Sequence, residues 1–173
     1  MSGALSLHAD EVYASLASDD QRLWVRKIFQ ALTEKGLDTR GVRRPLRMGR
    51  LCEICGTTQD ETAGIIEPFR AAGTTFLMPG EEVKLEPETV IDISHESLMR
   101  IWQRLDGWVD EESQSARIYG RLRETAELHA RGRAGLYHDP DLQIAQSWYE
   151  ESQPNAAWAE QYGGGFVATM DFL

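Results

Sequence analysis

Between Val90 and Trp108 the hydrophobic pattern changes from that of a strand to that of a helix, and the rest of the chain has to be arranged around that change. Val90-Ile91-Asp92-Ile93 is short, β-branched and alternating, as a half-buried strand is. Leu98, Ile101, Trp102, Leu105, Trp108 and Val109 then recur at helical spacing and form one apolar stripe. Ser94 suits an N-cap, and Glu96 suits the positive end of a helix dipole. The expectation is therefore a strand running straight into a helix that begins at Ser94, with His95 on its first turn. At such a junction, backbone N–H groups are free to meet an anion.

Upstream, residues 5–17 read as a short helix with Leu5, Val12, Leu16 and Ala17 available for packing. Asp19 and Asp20 cap a stronger one with Leu23, Trp24, Ile28, Ala31 and Leu32 on its apolar face, and Gly36 ends it. Val42 to Leu46 is expected as an edge strand, because Pro45 has no N–H to give to a ladder. Residues 49–55 form a short helix that Gly56 breaks. Thr57 or Thr58 caps a further helix with Asp60 and Glu61 in its first turn and Ile65, Ile66 and Phe69 inward; Pro68 kinks or ends it. Thr74 to Met78 reads as a strand, Pro79-Gly80 as a turn, and the segment to Glu88 as an acidic loop. Over residues 20–94 the order is helix, short strand, helix, helix, strand, loop, strand, which is that of a winged helix, a helix-turn-helix variant with a β wing.

Downstream, Trp108 to Arg131 is almost purely helical, with Ile118, Tyr119, Leu122, Ala126 and His129 at helical spacing and Gly132 and Gly135 loosening its end. Asp139-Pro140 reads as an N-cap followed by proline at the first helical position. Leu142, Ile144, Ala145, Trp148 and Tyr149 continue that helix to Pro154. Asn155 caps a short turn through Trp158, and three glycines precede a last helix that looks cut short. The fold class is thus mainly α: a linker helix in residues 1–19, a winged-helix domain in 20–94 and a helical connector in 95–173, the whole expected to be a piece of a longer protein.

A formal net charge of -10 argues against a dedicated nucleic-acid binder. Residues 1–20 lack the apolar core of a signal peptide, and no apolar run is long enough to span a membrane. Two cysteines, Cys52 and Cys55, fit a reducing compartment, so the expected location is cytoplasmic.

Three segments resemble the C-terminal part of bacterial STAND NTPases, multidomain signal-transduction ATPases that in one subgroup often carry WD repeats. They are IDISHESLMRIWQRLDGW (Ile91–Trp108), IYGRLRETAEL (Ile118–Leu128) and GRAGLYHDPDLQIAQSW (Gly132–Trp148); Asn155 to Phe172 is also similar. The pattern SHESL-x-x-x-W-x-RL-x-x-W is the most specific part. The resemblance implies a winged helix and helical connector that follow a P-loop ATPase module in the same chain and precede a repeat domain. ATP or ADP would then be bound in the full-length protein, with no cofactor in this part. No G-x-x-x-x-G-K-[ST] occurs here, so there is no Walker A phosphate cradle. Related STAND proteins carry a Met-His-Asp motif that touches bound ADP. Ser94-His95-Glu96 looks like its counterpart, with Ser for Met and Glu for Asp, and His95 is carried over as a nucleotide sensor.

Each candidate site has a plainer alternative. His95 reads the phosphates of a nucleotide held elsewhere, or it packs at a helix start. Arg40, Arg43, Arg44, Arg47 and Arg50 contact phosphates or an acidic partner surface, or they form a solvated loop. Cys52 and Cys55 lack the second pair of ligands that a structural zinc needs, and read as core thiols. His95-Glu96 has no second histidine four residues on, and neighbouring residues on a helix do not face one another, so catalysis by this part is not expected. Residues 58–70 and the segment 80–92 are acidic and would repel DNA. The expected role is a regulatory interaction module that couples nucleotide state to downstream repeats. The alternatives are a DNA-binding regulator that uses the arginine cluster, and a helical protein–protein scaffold.

Overall fold

The computed structural model describes residues 2–35 and 40–173 and shows a mainly helical chain with two small antiparallel sheets. Packing divides it into residues 1–112 and 113–173. The sequence reading divides the chain at Ser94/His95 instead. Leu98, Met99, Trp102, Leu105, Trp108 and Val109 are all buried in the first unit, so its core draws on the chain well beyond Ser94.

In the first unit, α1 (Ser2–Ala14) starts and ends three residues earlier than expected. Ser18, rather than Asp19 or Asp20, is the N-cap of α2 (Asp19–Ala31): its hydroxyl accepts from the Gln21 N–H at 3.2 Å, while the two aspartates sit in the positive first turn. The buried face of α2 is Val25, Ile28, Phe29, Ala31 and Leu32. Leu23, expected inside, is 46 % exposed. Both faces satisfy helical spacing. The choice falls to Phe29, whose ring lies 5.3 Å from Phe69 and 5.3 Å from Trp102, each edge-on. Such pairs are worth about 0.5–1.5 kcal/mol beyond the area they bury.

The helix ends at Ala31, and Thr33–Lys35 forms a strand, β1, that the sequence reading did not foresee; the expected stop at Gly36 lies outside the described residues. β1 pairs antiparallel with β2 (Gly41–Arg43). The single strand expected over Val42–Leu46 is instead two strands: Pro45 separates β2 from β3 (Leu46–Arg47), which joins another sheet. Then come α3 (Met48–Cys55), closed by Gly56 in the left-handed region, and α4 (Gln59–Arg70), opened by a reciprocal capping box between Thr58 and Glu61. Glu61 titrates below its ordinary value because the Thr58 backbone and hydroxyl both donate to its carboxylate. Pro68 does not end α4, which runs on to Arg70.

β4 (Leu77–Met78) is shorter than expected, and β5 (Val90–Ile93) forms as read. β5 is the centre of a three-stranded antiparallel sheet in the order β3-β5-β4, with Leu46 opposite Ile91 and Leu77 opposite Ile93. Its alternation holds: Ile91 and Ile93 are buried while Val90 faces out. The loop between β4 and β5 is tied to the helices. The Gly49 N–H donates to Pro87 O, Gln59 Nε2 to Leu85 O, and Arg70 Nη2 to Val83 O.

The helix expected from Ser94 is two helices that begin later. Glu96 occupies the N-cap position of α5 (Ser97–Ile101) without a side-chain capping bond, which leaves Ser94 and His95 ahead of it. Trp102 then breaks the path with φ -85° and ψ 98°, and α6 (Gln103–Ala130) follows.

In the second unit, α6 supplies Tyr119, Leu122 and Ala126 to a core shared with α7 (Asp141–Ser152), α8 (Ala156–Glu160) and α9 (Phe166–Phe172). α7 starts one residue later than read, with Pro140 at its N-cap position. Asn155 caps α8 as expected, accepting from the Trp158 N–H at 2.9 Å. Trp158 lies 5.4 Å from Tyr119 and 5.8 Å from Trp148. The Tyr119 hydroxyl donates to Gly164 O at 2.6 Å, and burial pushes its pKa up. Gly163, Gly164 and Gly165 all have positive φ, which only glycine adopts in succession at little cost.

Candidate functional site

The end of β5 delivers the chain to an exposed turn. The Ser94 N–H donates to Phe76 O at 3.0 Å, the last tie to the sheet. His95, Glu96 and Ser97 are then exposed, and tight bonds from the Leu98 N–H to His95 O and the Met99 N–H to Glu96 O close the turn into α5. His95 therefore stands outside the helix, not on its first turn, and it does not pack in the core.

The structure brings one arginine of the cluster to this turn. Arg43 Nη1 donates to Asp92 Oδ2 at 2.8 Å and to Ile93 O at 3.1 Å, so its guanidinium holds the end of β5 two residues before His95. Sequence spacing does not show this, because Arg43 and Asp92 are 49 residues apart. The other arginines are dispersed. Arg44 pairs with Glu34 at 2.6 Å, Arg47 with Glu88 at 3.3 Å and Arg50 with Glu53 at 2.9 Å, while Arg40 is exposed. The charges of Arg43, Arg44, Arg47 and Arg50 are thus matched within the chain.

The outward face of α4 carries Asp60, Glu61 and Glu67, and the loop beyond it carries Glu81, Glu82, Glu86 and Glu88, all exposed. The one cation of α4, Arg70, is 2 % exposed and turned inward, with its Nε 3.0 Å from the Glu67 carboxylate. Any phosphate approaching this face meets carboxylates.

The cysteines are both free thiols. Cys52 Sγ donates to Thr62 Oγ1 at 3.3 Å, and burial pushes the Cys55 thiol up to about 12. Among the described residues no group of three or more His, Cys, Asp or Glu side chains is placed to hold a metal ion. No helix of the described residues is long and apolar enough to cross a membrane. The residues around His95 form no phosphate cradle: the imidazole is exposed, and the arginine that ties down the end of β5 is already engaged by Asp92. They do not fit a nucleotide-holding site on their own.

No curated protein matches the sequence, and no solved structure does. A family match does cover most of the chain. Residues 1–134 of the 173 match the family described as novel STAND NTPase 1, taking in α1 to α6 and the exposed turn at His95, and the chain belongs to that family.

Proposed function

We propose that this chain is the winged-helix and helical-connector part of a STAND-type NTPase, and that it couples the nucleotide state of an upstream P-loop module to a downstream repeat domain. The winged-helix reading is supported by the order α2, β3, α3, α4, β4, loop, β5, with the β1–β2 pair inserted between α2 and β3, and by the sheet order β3-β5-β4. The chain carries no catalysis of its own in this reading; ATP or ADP is bound by the upstream module.

The observation that carries the proposal is the turn Ser94-His95-Glu96 between β5 and α5, with His95 and Glu96 exposed, in a chain of this family. A strand tied into a sheet fixes the chain before His95, a helix leading toward α6 fixes it after, and His95 itself is exposed. A histidine so placed reads a phosphate held by another module and passes the presence of that phosphate to both elements. Two observations weigh against DNA as the partner: the acidic exposed face of α4, and the pairing of the arginines with carboxylates of the same chain.

The test is ADP retention by the full-length gene product. His95→Ala should raise the ADP off-rate by about tenfold, the worth of one charge-assisted hydrogen bond. An off-rate equal to that of the unaltered protein would remove His95 from the nucleotide site.

A further inference from the structure

Nothing local stops the helix at Trp102. From Ser97 to Asp106 there is neither proline nor glycine, and the apolar stripe continues through the break in helical register. The ladder is intact on both sides of it: the Trp102 N–H donates to Leu98 O at 2.9 Å, and the Asp106 N–H donates to Trp102 O at 3.1 Å. One ψ angle, 98° instead of a helical value, separates α5 from α6. That angle forgoes the helical bonds that Gln103, Arg104 and Leu105 would make to the preceding turn. Trp102 gives nothing back as a cap, because an indole is a donor only. The break is imposed from outside the segment.

On its outer side the break is gripped by α1. Asp10 Oδ1 accepts from Trp102 Nε1 at 3.0 Å and from Arg104 Nε at 2.9 Å, so one carboxylate holds a residue at the break and one just past it. The Arg104 guanidinium lies 4.4 Å over the Tyr13 ring, and Tyr13 lies 5.6 Å from Trp108. α1 itself buries few side chains. Among its described side chains only Ala9 is buried, and Leu7 is 62 % exposed. The Trp102 ring is fully buried among Phe29, Phe69 and Trp108, and Leu98, Trp102, Leu105 and Val109 are spaced as one face of a continuous helix would be.

We propose that the α5–α6 junction is a two-state switch: docked α1 holds the chain broken at Trp102 through Asp10 and Tyr13, and withdrawal of α1 lets α5 and α6 join as one helix. Where local preference and tertiary setting conflict, the contact that favours one form over the other sets their populations. The switch lies between the His95 turn and the body of α6, and it does not depend on what His95 binds.

Amide hydrogen exchange on the 173-residue chain tests this, because the two outcomes have opposite signs. In the unaltered chain the Gln103, Arg104 and Leu105 amides belong to an uncapped first turn. Asp10→Ala should slow their exchange by about tenfold or more as the ladder closes across Trp102, with the Leu122 amide unchanged. Asp10→Asn keeps an acceptor for the indole and should move them less. Adding Gln103→Pro to Asp10→Ala should abolish the slowing at Arg104 and Leu105. Proline fits the first helical position of a separate α6 and favours the extended ψ already present at Trp102, but it cannot sit inside a joined helix. Should Asp10→Ala fail to fold, Arg104→Gln loosens the same contacts from the surface and must shift exchange in the same direction. Exchange at residues 103–105 that is unchanged or faster in these variants would overturn the switch.

Discussion

Arg43 and Arg70 show how far a side chain's meaning depends on where its partner sits. Both are arginines in a family whose chemistry turns on phosphates, yet Arg43 is engaged by Asp92 and Arg70 is buried under the β4–β5 loop. Read along the sequence, residues 40–50 look like one basic patch, and only the Arg50–Glu53 pair, three residues apart on α3, is visible in advance. The partners of Arg43, Arg44 and Arg47 lie 49, 10 and 41 residues away, across sheets that the sequence does not register. His95 was legible as a candidate because the strand-to-helix change marks it; its exposure was not, because that follows from a helix start three residues later than Ser94 suggests. The cysteines give a prediction at this scale. Cys52 is partly exposed, whereas Cys55 is buried with its thiol raised to about 12. Iodoacetamide at pH 8 should label Cys52 alone in the folded chain and both cysteines in denaturant, as read by peptide mass spectrometry. Equal native labelling would place Cys55 at the surface.

The elements that read correctly from sequence are those with local punctuation. α3 stops at Gly56, α4 starts at its Thr58–Glu61 box, and α8 starts at Asn155, each set by side chains within three residues of the boundary. β1 and the break at Trp102 have no such signal, since tertiary partners create both. The same substitution at two glycines separates conformation from space. Gly56 has φ 69° and nothing within 4 Å of an added Cβ, so Gly56→Ala should destabilise the chain by about 1–2 kcal/mol through backbone strain alone. Gly64 lies inside α4, also with open space, so Gly64→Ala should stabilise it by about 0.5–1 kcal/mol. Urea unfolding midpoints measure both. Shifts of the same sign would mean that the Gly56 turn does not require its left-handed conformation.

At the scale of the whole molecule, the sequence reading put the division where the strand becomes a helix, because a change of period looks like a change of domain. The packing divides later, inside α6, because Trp102, Leu105, Trp108 and Val109 complete a core with Phe29 and Phe69. Periodicity shows that the stripe is buried but not which surface covers it. The consequence for the proposed coupling is that the His95 turn, the Trp102 junction and the first turns of α6 belong to one packed unit, while α6 itself continues into the next. Nucleotide-dependent change should therefore register along this path in the full-length protein. The most direct measurement is hydrogen exchange of that protein loaded with ADP and with a non-hydrolysable ATP analogue, followed over residues 94–106. We expect exchange there to differ between the two states by about tenfold or more, with the β1–β2 pair unchanged. Identical exchange over residues 94–106 in both states would contradict the coupling role.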